Sequence, residues 1–255
     1  MKNNILEYQV YAKTTKSLVR DILRDLDSKN KITVNTINPH SYVVALSDSN
    51  FQCSLKNSSY LIPDGVGITL ASKILGNPIK ETIPGPDYFD LFCRQEVLNK
   101  KKYKHFFLGS SAYVLNRMAV NLTEKYNINI CGYYSPPYKD VFNKSDTNKM
   151  IGQINNSNCD VLWIGMTAPK QEKWLMDNIR NIDFLLASSI GATFDFVAET
   201  VPRAPSVIRN IGLEGVYRLF KEPKRIAPRA FISDPYFVYC VFKDLFYKIL
   251  AKIKW

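Results

Sequence analysis

Histidine is nearly missing from this 255-residue chain, which holds only His40 and His105. Two imidazoles leave little material for a histidine-based triad or a His-rich metal site. Cysteine is sparse too. Cys53, Cys93, Cys131, Cys159 and Cys240 stand singly, with no C-x-x-C pair and no zinc-ligand spacing, so buried, reduced thiols are expected. No uncharged apolar run reaches the length of about 18 residues that a membrane-spanning helix needs. The start, Met1-Lys2-Asn3-Asn4-Ile5, lacks the apolar stretch of a secretory signal, so export is not expected. A glycine-rich dinucleotide fingerprint is also absent, because the first strand–helix junction, Asn35–Pro39, has no glycine. That weighs against a Rossmann-type oxidoreductase, which wants such a turn with an acid ~20 residues further on. No recognition-helix, RRM or zinc motif speaks for a nucleic-acid-binding protein.

What is present describes a globular chain, 46% hydrophobic and 22% charged, long enough for one core and one appended element. Its net charge of +11 is unevenly placed. Residues 201–255 hold eleven Lys/Arg against Glu214, Glu222, Asp234 and Asp244, and so supply +7 of the total. Localised positive charge points to a polyanionic partner: anionic lipid, a diphosphate or nucleic acid.

Short apolar runs alternate with helical patterns over most of the chain. Strands are predicted at Lys31–Val34, Tyr60–Pro63, His105–Leu108, Ile128–Gly132, Val161–Gly165 and Phe184–Ser188. Helices are predicted near 14–27, 41–57, 66–76, 86–99, 111–126, 146–157 and 169–181. In the helix at 111–126, Val114, Leu115, Met118, Leu122 and Tyr126 fall on one face. Val161-Leu162-Trp163-Ile164 is continuously apolar, as expected where helices cover both faces of a parallel sheet. The fold expected is therefore α/β: a Rossmann-like core over residues 1–200, with a mostly parallel sheet covered by helices on both faces. A basic, aromatic-rich helical appendage is expected over 201–255. It comprises a helix near 206–221, a Pro-punctuated basic stretch and a tail from Pro235 to Trp255. In that tail Phe237, Val238, Val241, Leu245, Ile249 and Ile253 recur at helical spacing among lysines. Such a helix suits an anionic membrane surface; the alternative is packing on its own domain or on a second copy.

Ligands of open α/β sheets bind at the carboxyl ends of the strands. Asn35–Pro39, Asp64–Gly67, Gly109–Ser111, Thr167–Glu172 and Gly191-Ala192 all collect there. Asp64 follows an apolar strand and precedes a glycine. It is either a partly desolvated general base or the carboxylate of an Asp-Gly turn. Gly109-Ser110-Ser111 opens a helix and reads as a phosphate-binding amide cluster or as a plain turn. The one D-x-D sequence, Asp25-Leu26-Asp27, lies on a helix, where residues two apart do not share a face, so it is expected to be solvated surface rather than a metal site. Without a metal, cationic side chains must meet a leaving diphosphate.

Nine collinear segments resemble the WecG/TagA/CpsF glycosyltransferases, glycosyltransferase family 26. They are Thr36–Pro39, Pro63–Gly67, Ile83–Asp87, Phe107–Gly109, Gly132–Pro137, Gly165–Glu172, Gly191–Asp195, Arg203–Pro205 and the run Gly212–Arg225. The match extends from about residue 30 to 229. Two departures stand out. Glu81-Thr82 replaces the family's usual Glu-Arg, which removes a pocket arginine, and Glu214-Gly215 replaces Glu-Trp.

The resemblance implies an inverting, metal-independent enzyme. It would transfer N-acetylmannosamine, its uronic acid or a related hexose from a UDP-sugar to a polyprenyl-diphosphate-linked saccharide. Products of such enzymes feed wall teichoic acid, enterobacterial common antigen, capsule or exopolysaccharide. It further implies Asp64 as general base and Thr36, Asn38, Gly109 and Gln171 as substrate contacts. Arg218, Arg225 and Arg229 would be the appendage arginines that enter the site. Peripheral attachment to the inner face of the cell membrane is expected; a homo-oligomer is left open.

Overall fold

The computed structural model describes every residue except Lys29, Ile211, Lys254 and Trp255, and of Asn210, Arg225, Lys252 and Ile253 the backbone only. Six parallel strands form the central sheet: β3 (Ile32–Ile37), β4 (Tyr60–Pro63), β5 (Lys104–Gly109), β6 (Asn129–Tyr134), β7 (Val161–Gly165) and β8 (Leu186–Ser189). Their order is β4-β3-β8-β7-β5-β6. β3 leads outward to β4 on one side and β5 leads to β6 on the other. The central strands therefore end in a crevice between diverging connections, the usual ligand position of such sheets.

Alternation along the strands feeds two cores. Val34, Ile62, Phe107, Val161, Trp163 and Leu186 face α1 (Thr15–Leu26), α5 (Gly85–Leu98), α6 (Ala112–Tyr126) and α9 (Thr193–Val197). On the opposite face, Phe106, Leu108, Leu162, Ile164 and Ala187 pack with Met150 and Ile154 of α7 (Lys144–Ser157) and with Trp174 and Leu175 of α8 (Lys170–Asn178). Successive residues serving opposite layers explain why these strands are apolar throughout.

The expected α/β core is present, with local differences. Residues 41–57 form two helices, α2 (Pro39–Ser47) and α3 (Ser49–Lys56). Asp48 breaks them by taking an extended conformation, and its carboxylate accepts the Phe51 amide at 3.0 Å to cap α3. The helix expected at 206–221 is likewise two, α10 (Ser206–Asn210) and α11 (Glu214–Lys221). Between them Gly212 has φ +77°, which interrupts a helix. An antiparallel hairpin, β1 (Lys2–Ile5) and β2 (Tyr8–Tyr11), was not expected from the sequence. Of the cysteines, Cys93 and Cys159 are buried as expected, whereas Cys53 is exposed.

The Pro-punctuated basic stretch is helical. α12 (Pro223–Pro228) runs through a π-helical turn, Arg229–Ser233, into α13 (Asp234–Ile253). Pro223 occupies the first turn of α12, where its missing amide costs nothing. α13 packs against α2 and α4 (Val66–Ile74). Phe237 and Val241 are 2% and 3% exposed within a third core formed by Tyr8, Tyr42, Ile68 and Ala71. The Phe237 and Tyr42 rings meet edge-on at 5.3 Å. Tyr236, Tyr239, Phe242, Phe246 and Tyr247 remain exposed. The tail thus serves its own domain with one face and presents aromatics with the rest. Among the described residues no helix is long and apolar enough to cross a membrane.

Candidate active site

The ends of β3 and β4 lie side by side, with Ile37 opposite Pro63, and the Asp64 amide donates to the Ile37 carbonyl at 2.8 Å. That bond fixes Asp64 beside Asn38. Asn38 caps α2 reciprocally with Ser41 and is followed by Pro39 at the first helical position. The Asn38 side chain is also a polar neighbour of the Asp64 carboxyl and favours its charged form. Thr36, half-buried two residues earlier, points to the same side of the extended chain as Asn38.

Asp64 keeps part of its surface open, yet protein atoms crowd it. Desolvation is the largest influence on its carboxyl and raises it above the ordinary carboxylate range. The Asn38 side chain and the charges of Arg218 and Arg229 pull the other way, while the Glu214 carboxylate pushes it up further. One residue from the first third of the sequence and three from the last quarter thus share an electrostatic neighbourhood. Arg218, on α11, is steadied by the Phe196 ring at 5.8 Å and by Glu222 at 3.6 Å. The Arg225 side chain lies outside the described residues.

The appendage is fastened beside this cluster. Arg203 binds both oxygens of Asp87 at 2.5 and 3.0 Å and reaches Glu214 at 3.4 Å. Arg209 adds a 3.4 Å contact to Asp87. The Gly212 backbone lies against Val66, where a Cβ would come within 2.6 Å of the valine Cγ1. On α2, His40 Nδ1 meets Ser233 Oγ at 2.8 Å; burial and Arg229 hold its imidazole below the usual histidine range.

Gly109 and Gln171 lie further along the same rim, on β5 and just after β7. Gly109 has φ +119°, and a side chain there would strike the Gly165 carbonyl at 2.4 Å, so the crossing of two strand ends demands glycine. The Gly109-Ser110-Ser111 turn is tied to its neighbours: the Ser110 amide donates to Gly165 O of β7 at 3.0 Å and Ser111 caps α6. Gln171 is 3% exposed. Its amide oxygen accepts from the Met166 amide at 3.2 Å, and its amide nitrogen donates to Glu172 at 2.7 Å. From β4 to β5 the rim spans four strand spacings, roughly 19 Å.

Sequence reasoning assigned no role to Glu214, Asp87, His40 or the buried Glu172. Glu214, Asp87 and Glu172 lie inside the matched segments, which was the available signal. His105 is elsewhere. It is fully buried near the start of β5, with Nε2 on Glu96 at 2.7 Å and Nδ1 accepting from the Trp163 indole at 2.9 Å. Asp25 and Asp27 pair with Arg24 and Lys101 at the same far end. Neither of two surface clefts, of about 670 and 610 Å³, is lined by Asp64: one lies by Tyr11, Asp21 and Tyr60, and the other, by Asp87, Phe196, Arg203 and Arg209, adjoins the appendage tie. The site is assigned on convergent charge rather than on concavity. Among the described residues no group of three His, Cys, Asp or Glu is arranged to hold a metal ion.

A sequence model described as glycosyl transferase WecG/TagA/CpsF family matches residues 3–249. The chain belongs to the WecG/TagA/CpsF glycosyltransferase family. That membership decides for a transferase over the oxidoreductase reading. Curated members are similar over most of their length. The N-acetylglucosaminyldiphosphoundecaprenol N-acetyl-beta-D-mannosaminyltransferase of Bacillus subtilis (strain 168) is 29% identical over 220 residues, 86% of this chain and 82% of its own. The protein of the same name from Staphylococcus aureus (strain MW2) is 27% identical over 217 residues, 85% and 82% of the two chains. The match takes in the β1–β2 hairpin and most of α13, so the WecG/TagA/CpsF unit includes the C-terminal helix.

Proposed function

We propose that this glycosyltransferase moves an N-acetylmannosamine-type hexose from a UDP-sugar to a polyprenyl-diphosphate-linked saccharide at the inner face of the cell membrane. What supports the acceptor is the activity for which the relatives are named, transfer to an N-acetylglucosaminyl-diphosphoundecaprenol. A rim of roughly 19 Å suits an extended donor better than a single sugar ring.

The reading rests on Asp64, a desolvated carboxylate beside Asn38 and flanked by the charges of Arg218 and Arg229. Asp64 takes the proton of an acceptor hydroxyl. That oxygen bonds to the anomeric carbon as the bond to the UDP oxygen breaks on the opposite face, and configuration inverts in one displacement. Arg218 and Arg229, with Arg225, neutralise the charge that develops on the leaving diphosphate, the task a metal performs in other transferases. Thr82 precedes Ile83, whose amide bonds the Pro63 carbonyl at 2.7 Å. The usual family arginine is thus missing one residue from the strand end that carries Asp64, which alters the donor side of the pocket.

The exposed aromatics of α13, with Lys243 among them and Lys248 directly after, suit the membrane interface. The test is a transfer assay of a UDP-sugar panel against synthetic lipid-diphosphate N-acetylglucosamine, with and without chelator. Transfer from a UDP-hexosamine that survives chelation is expected; no transfer from any donor, or complete dependence on a divalent cation, contradicts the reading.

A further inference from the structure

The inward face of α4 is occupied: Ile68, Ala71 and the following Leu75 pack in the core with Phe237 and Val241 of α13. The outward face is apolar as well. Val66, Leu70 and Ile74, at successive i, i+4 positions, are 44%, 55% and 43% exposed. Single exposed aliphatics are ordinary on protein surfaces. Three in register along one helix form a stripe about 12 Å long. A second stripe starts at the same place. Gly212 touches Val66, and Leu213, Val216 and Phe220, all exposed, follow along α11.

Both stripes begin at the candidate site, since Val66 is two residues beyond Asp64 and α11 also carries Arg218. Polarity therefore changes sharply over a short distance, from guanidinium groups around Asp64 to bare aliphatic surface leading away from it. A molecule complementary to that surface has an anionic head joined directly to a hydrocarbon chain. Neither a nucleotide-sugar nor a free saccharide has this form; a lipid diphosphate does.

We propose that the Val66-Leu70-Ile74 face of α4 is the track along which the first isoprene units of the lipid-linked acceptor lie while its saccharide is held at Asp64. The proposal rests on the transferase reading above and adds to it the residues that select a polyprenyl chain over a shorter one. Hydrocarbon on this face removes apolar surface of both partners from water, and the gain scales with the chain length in contact.

The full-length protein, in detergent micelles without vesicles, is assayed with two acceptors carrying the same diphosphate-linked sugar, one on a polyprenyl chain and one on a short alkyl chain. Leu70→Glu and the Leu70→Glu/Ile74→Glu pair alter exposed positions only, and thermal melts confirm folding. The expected result is that the ratio of kcat/KM for long over short chains falls by about tenfold or more, with short-chain transfer retained. An unchanged ratio, or an equal fall on both acceptors, overturns the proposal. In a separate sedimentation assay of the same variants with anionic vesicles, a loss of binding while the ratio stays intact also overturns it and assigns the stripe to the bilayer. Wild-type protein is run first: no transfer to either acceptor overturns the transferase reading, and the track with it, whereas wild-type transfer with an unchanged ratio in the variants removes the track alone.

Discussion

Arg203 grips both carboxylate oxygens of Asp87, at 2.5 and 3.0 Å, across 116 residues of chain. The same guanidinium reaches Glu214, the first residue of α11, whose next turn carries Arg218. The start of α5 is thereby tied to the helix that brings a cation to Asp64. A paired, partly buried arginine left without its carboxylate loses orientation as well as energy. Asp87→Asn is expected to lower kcat by on the order of tenfold to 10²-fold through misplacement of α11, while the melting of the core changes little. Faster hydrogen exchange in α11 is the accompanying sign. Full activity with unaltered exchange would contradict the tie.

The pH dependence of transfer follows from the groups around Asp64. Desolvation holds its carboxyl above the ordinary range, with Glu214 adding to the shift and Arg218 and Arg229 opposing it. A general base acts only when deprotonated, so the acidic limb of kcat/KM lies above that of an exposed aspartate. Glu214→Gln removes a charge that raises the carboxyl and should move the limb to lower pH. Arg218→Gln removes one that lowers it and should move the limb upward. Identical limbs in all three proteins would show that these groups do not face Asp64.

Glu172 supplies a stability test. Burial pushes its carboxyl up to about 7, and only the Gln171 side chain and a backbone bond oppose the shift. The folded state therefore holds this proton more tightly than the unfolded chain does. The stabilisation is present below the unfolded value of 4.5 and is lost as pH rises through about 7. Glu172→Gln keeps an acceptor for Gln171 and removes the buried charge. At pH 8 it is expected to raise stability by on the order of 2–3 kcal/mol, with little effect at pH 4, as read from denaturant curves.

α13 does two jobs that single substitutions separate. Phe237→Ala opens a hole beside Tyr42 and should cost about 3–5 kcal/mol. Phe242→Ser with Phe246→Ser alters exposed rings, and should leave the melting temperature in place while reducing sedimentation with anionic vesicles. Unchanged sedimentation would refute the membrane contact. Removing residues 230–255 is a poorer test, because it strips the Phe237 and Val241 packing along with the exposed face.

The sheet was legible because strands such as Val161–Ile164 are unbroken apolar runs, set at intervals that leave room for a helix. The β1–β2 hairpin was not. Its strands alternate with Asn and Gln and are held by Ile5, Tyr8 and Val10 meeting Tyr42 and Phe237, and Phe237 is more than two hundred residues away. Asp64 could be read from its place after an apolar strand. Glu214 could not, since its approach to Asp64 exists only once the appendage folds back through Arg203 and Gly212. Glu172 in a first helical turn looks like a solvated partner of the helix dipole, and nothing local in the sequence marks it as buried. The tail showed its aromatic periodicity, but which of those rings enter the core depends on the surface α2 and α4 offer.

The most direct test is turnover by Asp64→Asn under saturating donor and acceptor. Asparagine keeps the shape and the Asn38 neighbour but cannot accept the hydroxyl proton. Circular dichroism and melting should match the parent protein, and kcat should fall by about 10²–10⁴-fold. A correctly folded variant that turns over at the parent rate would leave the chemistry without its base.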